Sequence, residues 1–532
     1  MRLPSFLCFT LFCVTLNFEL NNGYRILGIF PSNVNSHFIM FEKLMNGLIK
    51  KGHSVDIISY FPLNNQQTKN YKHISIRDIL PAKQNNVSFQ SFIKPMRNMF
   101  WITLVADDIG HKFCDIFKQQ SVNDLINKSS HAPYDLIVTE LFFAPCYFAL
   151  GRHLNAPIVA MSSNALFDFM NDPFGNPINP SFVPSGMVNY SQKMTFWQRV
   201  VNTIYSNFMK ILFNHSIKIQ DKYVEKYFGP GYPTVYDLQK EVALILVNSH
   251  FILHGIRPIT PSIIEVGGMH IEEKEEKEKK LPQEIEKWLD ESDAGCIYVS
   301  FGSMVKIESF PKEILNHFYT TFRNIKPVRV LMKIANDKEL PPGMPENVKI
   351  QPWLPQIQIL KHKNTKAFVT HGGLMGTMEA IYYGVPMIGV PLFGDQHSNV
   401  HHYEREKIAI LMKLETINAD RFTNAIQNVL NTPLYRTRIR ELSQIFKDRQ
   451  NSPLETAIFW VEFICRNGNI LKSPAIDLEW WQVQLLDVYG FIFLVIFITF
   501  YLIYSLSRIL IRFLRRLKSH KKFISGIAKK NM

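Results

Sequence analysis

The 532-residue sequence predicts an α/β protein of two parallel-sheet domains followed by a membrane-spanning helix. Three observations carry that prediction. Strand–loop–helix–strand patterning opens over residues 24–59, and a second such series opens over residues 297–301 and continues to residue 396. The chain is also too long for one hydrophobic core. Finally, residues 488–506 contain no charged side chain and are long enough to cross a bilayer.

The chain begins with Met1-Arg2 and a short apolar run, the pattern of a secretory signal peptide expected over residues 1–22. Its removal takes Cys8 and Cys13 with it. The remaining cysteines, Cys114, Cys146, Cys296 and Cys465, lie far apart without metal-ligand spacing, so buried thiols or at most one disulfide are expected. No zinc site and no cysteine nucleophile is indicated.

The first domain is expected over residues 23–265. Residues 24–30 read as a strand, 31–36 as a loop and 37–51 as a helix with Phe38, Phe41, Leu44, Met45 and Leu48 on one side. Gly52-His53 closes the helix and residues 55–59 form the next strand. Ser36-His37 thus lies at the C-terminal edge of the first strand, where parallel sheets bind ligands; as one of 17 histidines, His37 also fits an ordinary surface position. Residues 134–140 form another strand ending in Glu140. A carboxylate there could bond the far nitrogen of His37 and stabilise its imidazolium, or it could cap the helix that follows. Asn86, Asn127, Asn189 and Asn214 stand in N-x-Ser sequons, and no sequon follows residue 250, which suits a lumenal N-terminal half. Residues 196–212 place Trp197, Val200, Val201, Ile204, Phe208, Ile211 and Leu212 at helical spacing. This reads as a core or inter-helix face, with membrane contact as the alternative.

Residues 242–248 form a strand, 258–268 are rich in Pro and Gly, and 272–280 are nine consecutive charges, so a linker is expected over 266–285. The second domain, 286–470, starts with a strand ending at Gly302-Ser303 and continues through strands at 330–333 and 348–351 to Trp353 and Gln356. Its focus is residues 351–396. Two apolar runs, 367–370 and 386–390, read as buried parallel strands flanking a helix, Leu374–Tyr383, that stops at Gly384. His371-Gly372-Gly373 therefore precedes a helix N-terminus, where backbone N–H groups and the helix dipole attract phosphate. Glu379 offers two acceptor oxygens for a ribose hydroxyl pair, and Asp395-Gln396 suits the hydroxyls of a sugar. Taken alone, a His-Gly-Gly turn is an ordinary loop. The ordered set of Trp353, Gln356, His371-Gly372-Gly373, Glu379, Pro386, Pro391 and Asp395-Gln396 is far more specific.

That set resembles the signature of the UDP-glycosyltransferase family, which holds animal UDP-glucuronosyltransferases and insect and plant UDP-glucosyltransferases, and the resemblance runs from residue 24 to the C-terminus. It implies a GT-B fold, two Rossmann-like doubly wound domains facing a cleft. It further implies His37 as general base, supported by Glu140 where many members carry Asp. In the same way, Trp353 stacks on uracil, Gln356 helps hold the nucleotide, Ser303 and His371 contact the diphosphate, Glu379 the ribose, and Asp395 and Gln396 the transferred sugar. Plant members have Asn-Ser where this chain has Met375-Gly376, which leaves backbone groups to contact phosphate there. Glucuronate-using relatives carry Arg at the position counted to Asn248, so without a cation for the sugar carboxylate UDP-glucose is the expected donor, with UDP-glucuronate the alternative.

The chain closes with a juxtamembrane segment (471–487), the span (488–506) and a basic tail (507–532). Trp480-Trp481 and Tyr489 on one side and the basic residues on the other predict a cytosolic tail and a lumenal remainder. Lys529-Lys530 near the end resembles a dilysine retrieval signal, which implies the endoplasmic reticulum membrane in type I orientation. Net charge is +14, but nine Lys/Arg and no acid lie within 508–530, so the charge marks one tail rather than a nucleic-acid surface. The expected partners are a UDP-sugar, small lipophilic hydroxyl acceptors and the bilayer. Oligomeric state is open between monomer and homo-oligomer. Neither a resident cofactor nor a metal is expected, since no Asp-x-Asp or His cluster occurs. The rival readings are a non-catalytic binder of UDP-sugars or lipophiles and a nucleotide-sugar epimerase.

Overall fold

The computed structural model describes residues 23–64, 69–79, 85–91, 110–127, 134–186, 188–272 and 279–530. The expected signal peptide, residues 273–278 of the charged run and the closing Asn531-Met532 lie outside them. By compactness the chain divides into one unit ending at Ser473 and a second beginning at Pro474.

The first unit contains two sheets. Strands β1 (Arg25–Phe30), β2 (Ser54–Ser59), β3 (Tyr71–Ser75), β4 (Leu136–Glu140), β5 (Ile158–Ser162), β6 (Val242–Val247) and β7 (Ile263–Glu265) form a seven-stranded sheet in the order β3-β2-β1-β4-β5-β6-β7. A six-stranded sheet follows, made of β8 (Cys296–Ser300), β9 (Arg329–Lys333), β10 (Val348–Gln351), β11 (Thr365–Thr370), β12 (Met387–Gly389) and β13 (Ala409–Leu411), in the order β10-β9-β8-β11-β12-β13. Every ladder is parallel. Parallel sheets are covered on both faces, which is why β4, β5, β6 and β8 are buried throughout and read as unbroken apolar runs. Each order runs outward from β1 or β8 in both directions, so each sheet has a switch point where neighbouring crossovers diverge.

Helix α1 (Asn35–Lys50) starts two residues before the expected position, so His37 lies in its first turn rather than at its first residue. No side chain caps this end, so no N-cap bond marks where the helix starts. Helix α2 (Phe196–Ile217) starts at a capping box between Thr195 and Gln198. Its inner face departs from expectation. Met209, Phe213 and Ile217 are buried together with three polar residues, Asn202, Ser206 and Ser216. Ser206 donates to the buried Asp168 at 3.0 Å, and Asn202 accepts from the Ser185 N–H at 2.8 Å. These bonds turn Trp197, Val201, Ile204 and Ile211 outward, where they are exposed. The predicted stripe is therefore divided: Phe208 and Leu212 pack against the first-sheet core and Val200 is half-buried, while the other four residues are exposed.

Helices α3 (Gln356–Lys361), α4 (Leu374–Tyr383) and α5 (Gln396–Arg405) follow β10, β11 and β12. Gly384 ends α4 in the left-handed region at φ 69°, as the sequence predicts. Helix α6 (Pro453–Asn467) returns to the first sheet, where Leu454, Ala457, Ile458 and Val461 join the cluster of Phe38, Phe41 and Leu44 beneath α1. Gly47 makes room for that return, since a Cβ there would stand 2.8 Å from Ile458 Cδ1. Cys114 and Cys146 are disulfide-bonded, Cys296 is a buried thiol and Cys465 a half-buried one. In the second unit, α7 (Leu486–Lys530) contains the expected span and continues through the tail, and its 486–527 stretch is long and apolar enough to cross a membrane.

Candidate active site

A cleft of about 1040 Å³ is lined from both sheets by the loops that follow strand C-termini. Parallel pairing of β1 with β4 puts the residue ending β4 beside the helix that follows β1. His37 Nδ1 accordingly lies 2.7 Å from Glu140 Oε1, with the Glu140 side chain 1% exposed and that of His37 17%. Ser163, just past β5, brings its Oγ within 3.1 Å of the same nitrogen, and the Phe142 ring meets the imidazole edge-on at 4.9 Å. With Nδ1–H donating to the carboxylate, the neutral tautomer carries its lone pair on Nε2. Glu140 is thus a buried partner of His37, not a surface helix cap. Its Oε2 has no hydrogen-bond partner among the described residues.

The second sheet supplies a glycine cradle. Gly302 (φ 80°) and Gly372 (φ 85°) adopt left-handed backbone, and Gly373 is the N-cap of α4. The His371 imidazole is wedged between them. A Cβ on Gly302 would lie 2.8 Å from its Cε1, and one on Gly373 would lie 2.6 Å from its Nε2. Desolvation, helped by the nearby Lys333 cation, pushes the His371 pKa down to about 4. At neutral pH this imidazole is uncharged, so it can serve an anion only as a hydrogen-bond donor. The cation of the cradle is Lys333, buried at the end of β9, whose Nζ donates to Gly302 O at 2.7 Å and Asn85 Oδ1 at 2.6 Å. Its Nζ also stands 5.7 Å from the centre of the exposed Trp353 ring. Burial pushes the Lys333 pKa down to about 8.

Glu379 is hydrogen-bonded through one oxygen and approached by an imidazole at the other. Gln356 Nε2 donates to Oε2 at 2.7 Å, and His270 Nε2 lies 3.2 Å from Oε1. Tyr298 in turn donates to Gln356 Oε1 at 3.2 Å. Gly376 keeps this pair in place, because a Cβ there would stand 2.9 Å from Gln356 Nε2. Gln396 Oε1 accepts the Leu392 and Phe393 N–H groups at 2.9 and 3.0 Å, and Asp395 Oδ2 accepts from Asn399 at 2.8 Å. Burial pushes the Asp395 carboxyl up from its ordinary range, opposed by the bond from Asn399 and, across the cleft, by His37. Asn248 is fully buried and bonds the Ser163 carbonyl at 2.8 Å.

The structure therefore brings His37, Ser303, Trp353, Gln356, His371, Gly373, Gly376, Glu379, Asp395 and Gln396 to one cleft. Glu140 stands behind His37, and Gly372 packs against Val400. Of the sequons, Asn86 is exposed on the cleft wall, Asn127 and Asn189 are exposed elsewhere, and Asn214 is half-buried within α2. Lys333, His270, Ser163 and Tyr298 were not singled out in the sequence, because their partners lie on other elements and no local pattern marks them.

Two all-parallel domains that present their strand C-termini to a shared cleft form the GT-B architecture of sugar-nucleotide glycosyltransferases. Solved structures bear out the fold. The Phytolacca americana UGT2, complexed with UDP-2fluoro-glucose and pterostilbene, superposes with a TM-score of 0.54 at 19% identity, covering 83% of this chain and 100% of that one. The glycotransferase of kitacinnamycin gives 0.54 at 16% identity, over 84% and 99%. The chain belongs to the family described as UDP-glucoronosyl and UDP-glucosyl transferase, whose pattern matches residues 26–522. It is 34% identical over 501 residues to UDP-glycosyltransferase UGT5 of Dactylopius coccus, covering 92% of this chain and 93% of that protein. It is 29% identical over 476 residues to UDP-glucuronosyltransferase 2B18 of Macaca fascicularis, covering 86% and 88%. It is a UDP-glycosyltransferase.

Proposed function

We propose that this UDP-glycosyltransferase moves glucose from UDP-glucose to a hydroxyl of small lipophilic acceptors, with inversion, and that His37 is the general base. The observation that carries the reading is the 2.7 Å His37–Glu140 pair on the same cleft as the glycine cradle. Nε2 takes the acceptor hydroxyl proton, the oxygen attacks C1 of the sugar, and the C1–O bond to the diphosphate breaks as UDP leaves with the electron pair. Glu140 stabilises the imidazolium that forms. The α4 N-terminus, Ser303, the neutral His371 and the Lys333 cation meet the diphosphate, Glu379 the ribose, and Asp395 with Gln396 the sugar hydroxyls. Trp353 and Gln356 take the uracil. Phe142, Phe143 and Phe167 on the His37 side favour an apolar, aromatic acceptor.

Glucose is preferred because the position counted to the carboxylate-binding Arg of glucuronate users is Asn248, a buried amide bonded to backbone. The disulfide between Cys114 and Cys146 supports an oxidising lumen for the domains, and α7 supports anchoring in the endoplasmic reticulum membrane with the tail in the cytosol. Microsomes carrying the protein, supplied in parallel with UDP-glucose and UDP-glucuronate and a panel of phenols, test the reading. Glucoside formation that falls ~10²-fold or more in His37→Ala, with UDP binding retained, is the expected result. Glucuronides in place of glucosides would overturn the donor, and unchanged turnover in His37→Ala would remove the base.

A further inference from the structure

Helix α7 is longer than a bilayer requires. At about 1.5 Å per residue, residues 486–506 cover about 31 Å, the hydrocarbon thickness, and residues 507–530 continue for about another 36 Å. That second stretch is amphipathic. Projected at about 100° per residue, Ile509, Leu510, Phe513, Leu514 and Leu517 fall with Leu506, the last residue of the span, within an arc of about 140°, and Ile524 and Ile527 fall within the same arc. All eight are exposed. Arg508, Arg512, Arg515, Lys518 and Lys522 occupy the opposite side, with Ile511 among them, while Arg516 borders the apolar arc and His520 and Lys521 fall inside it.

An apolar arc of this size is unfavourable in water, and a helix with it that lay along the bilayer normal beyond the span would expose all of it. The bilayer is the cover nearest to hand, because the helix emerges from it. The helix is unbroken from 486 to 530, and a side chain able to favour a bend stands where the span ends. Ser505 and Ser507 sit there, and the Ser507 hydroxyl bonds the Tyr504 carbonyl at 2.8 Å, the local back-bonding that loosens a helix ladder and bends it. Charge complementarity selects the lipid, since a basic face beside an embedded apolar face matches anionic headgroups.

We propose that residues 507–530 form an anionic-lipid-binding helix that lies in the headgroup plane of the leaflet beyond the span, held by its apolar arc and its basic face together. The proposal rests on the reading of residues 486–506 as a bilayer span. Beyond anchorage, it makes seating of the tail depend on lipid charge.

The test uses the full chain in nanodiscs of phosphatidylcholine with or without phosphatidylserine, in a Cys465→Ser background. Nitroxide labels are placed in turn at Phe513→Cys, Arg515→Cys and Ile496→Cys. With phosphatidylserine present, the label at 513 is expected to meet lipid-soluble oxygen and the label at 515 a water-soluble nickel chelate. Replacing Arg512, Arg516, Lys518 and Lys522 by Gln is expected to lower the lipid-facing population at 513 about ten-fold or more. Equal water access at 513 and 515 in anionic discs would overturn the proposal. So would protection at 513 with spin–spin broadening that grows with copies per disc, which identifies a second chain as the cover. The label at 496 reports separately on the span: water access there removes the spanning reading itself, whereas lipid access there with a wet tail removes only the tail proposal.

Discussion

Replacing Glu140 by Gln isolates the one charge that stands behind His37. The substitution keeps the volume of a side chain that is 1% exposed, so the packing around it has no reason to change. What changes is the 2.7 Å bond to Nδ1. A buried charge-assisted hydrogen bond is worth about 1.5–3 kcal/mol, and a neutral one about 0.5–1.5. The imidazolium formed on proton transfer is therefore less stable by about 1.5–3 kcal/mol in the variant, once the lost ion-pair attraction in this dry setting is included. At about 1.4 kcal/mol per decade, turnover falls about 10–10²-fold. If Gln turns its NH₂ toward Nδ1, the tautomer inverts, Nε2 carries the proton and the loss exceeds that range. Because Glu140 does not itself line the cleft, UDP affinity and the KM for the donor are expected to hold. Steady-state turnover in microsomes, with UDP binding measured by calorimetry, reads both quantities. Turnover within about three-fold of the unsubstituted protein would refute the argument, and loss of UDP binding would show that Glu140 acts through the fold instead. Glu140→Asp keeps the charge and retracts it by one methylene, so partial recovery relative to Gln separates charge from geometry.

Two further outcomes follow from the cradle. Lys333 has its pKa pushed down to about 8, so it is charged below that pH and loses its charge as pH rises through it. UDP affinity should then fall by up to about ten-fold per pH unit above pH 8, and Lys333→Gln should bind UDP weakly with that pH dependence flattened; a steep dependence persisting in Lys333→Gln would assign it to another group. Gly302→Ala puts a Cβ 2.8 Å from the His371 ring at a backbone φ of 80°, at a strain of about 1–3 kcal/mol, so both thermal stability and UDP affinity should drop, and a variant with unchanged UDP binding would show that the ring position is unimportant.

The local parts of the site were legible because strand, loop and helix are contiguous in sequence. From residue 365 to 396 the chain writes β11, the glycine turn, α4, β12 and the start of α5 in order, and the turn glycines and Gly384 fall where their backbone requires them. The ends of β1 and β4 were equally visible, so the His37–Glu140 contact followed from strand adjacency. Other features depended on partners far away in sequence. Lys333 ends an unremarkable strand, and only its bond to Asn85, 248 residues earlier, and its place beside His371 mark it. His270 reaches Glu379 from the segment after β7, and α6 crosses back to the first sheet. The apolar period of α2 does mark one face of the helix, yet periodicity carries no information about what covers that face. Asp168 and Ser185 decided it by drawing Ser206 and Asn202 inward.

On the proposed function, the glycines and the cation of the second domain answer a single electrostatic problem. A diphosphate leaving group develops charge as the C1–O bond breaks, and a charged imidazole at position 371 would meet that charge as a mobile acid able to protonate it. With its pKa near 4, His371 instead keeps a fixed donor geometry at physiological pH. The positive charge sits on Lys333, itself held by Gly302 O and Asn85 Oδ1. Asn85 comes from the first domain, and the same segment pairs Val87 with Val305 beside the Gly302-Ser303 turn. Residues 85–87 thus brace the Lys333 side of the cleft, while Glu140 and Ser163 hold His37 on the other wall. On the proposed function, loosening that segment, even without touching His37, would misplace the diphosphate relative to the base.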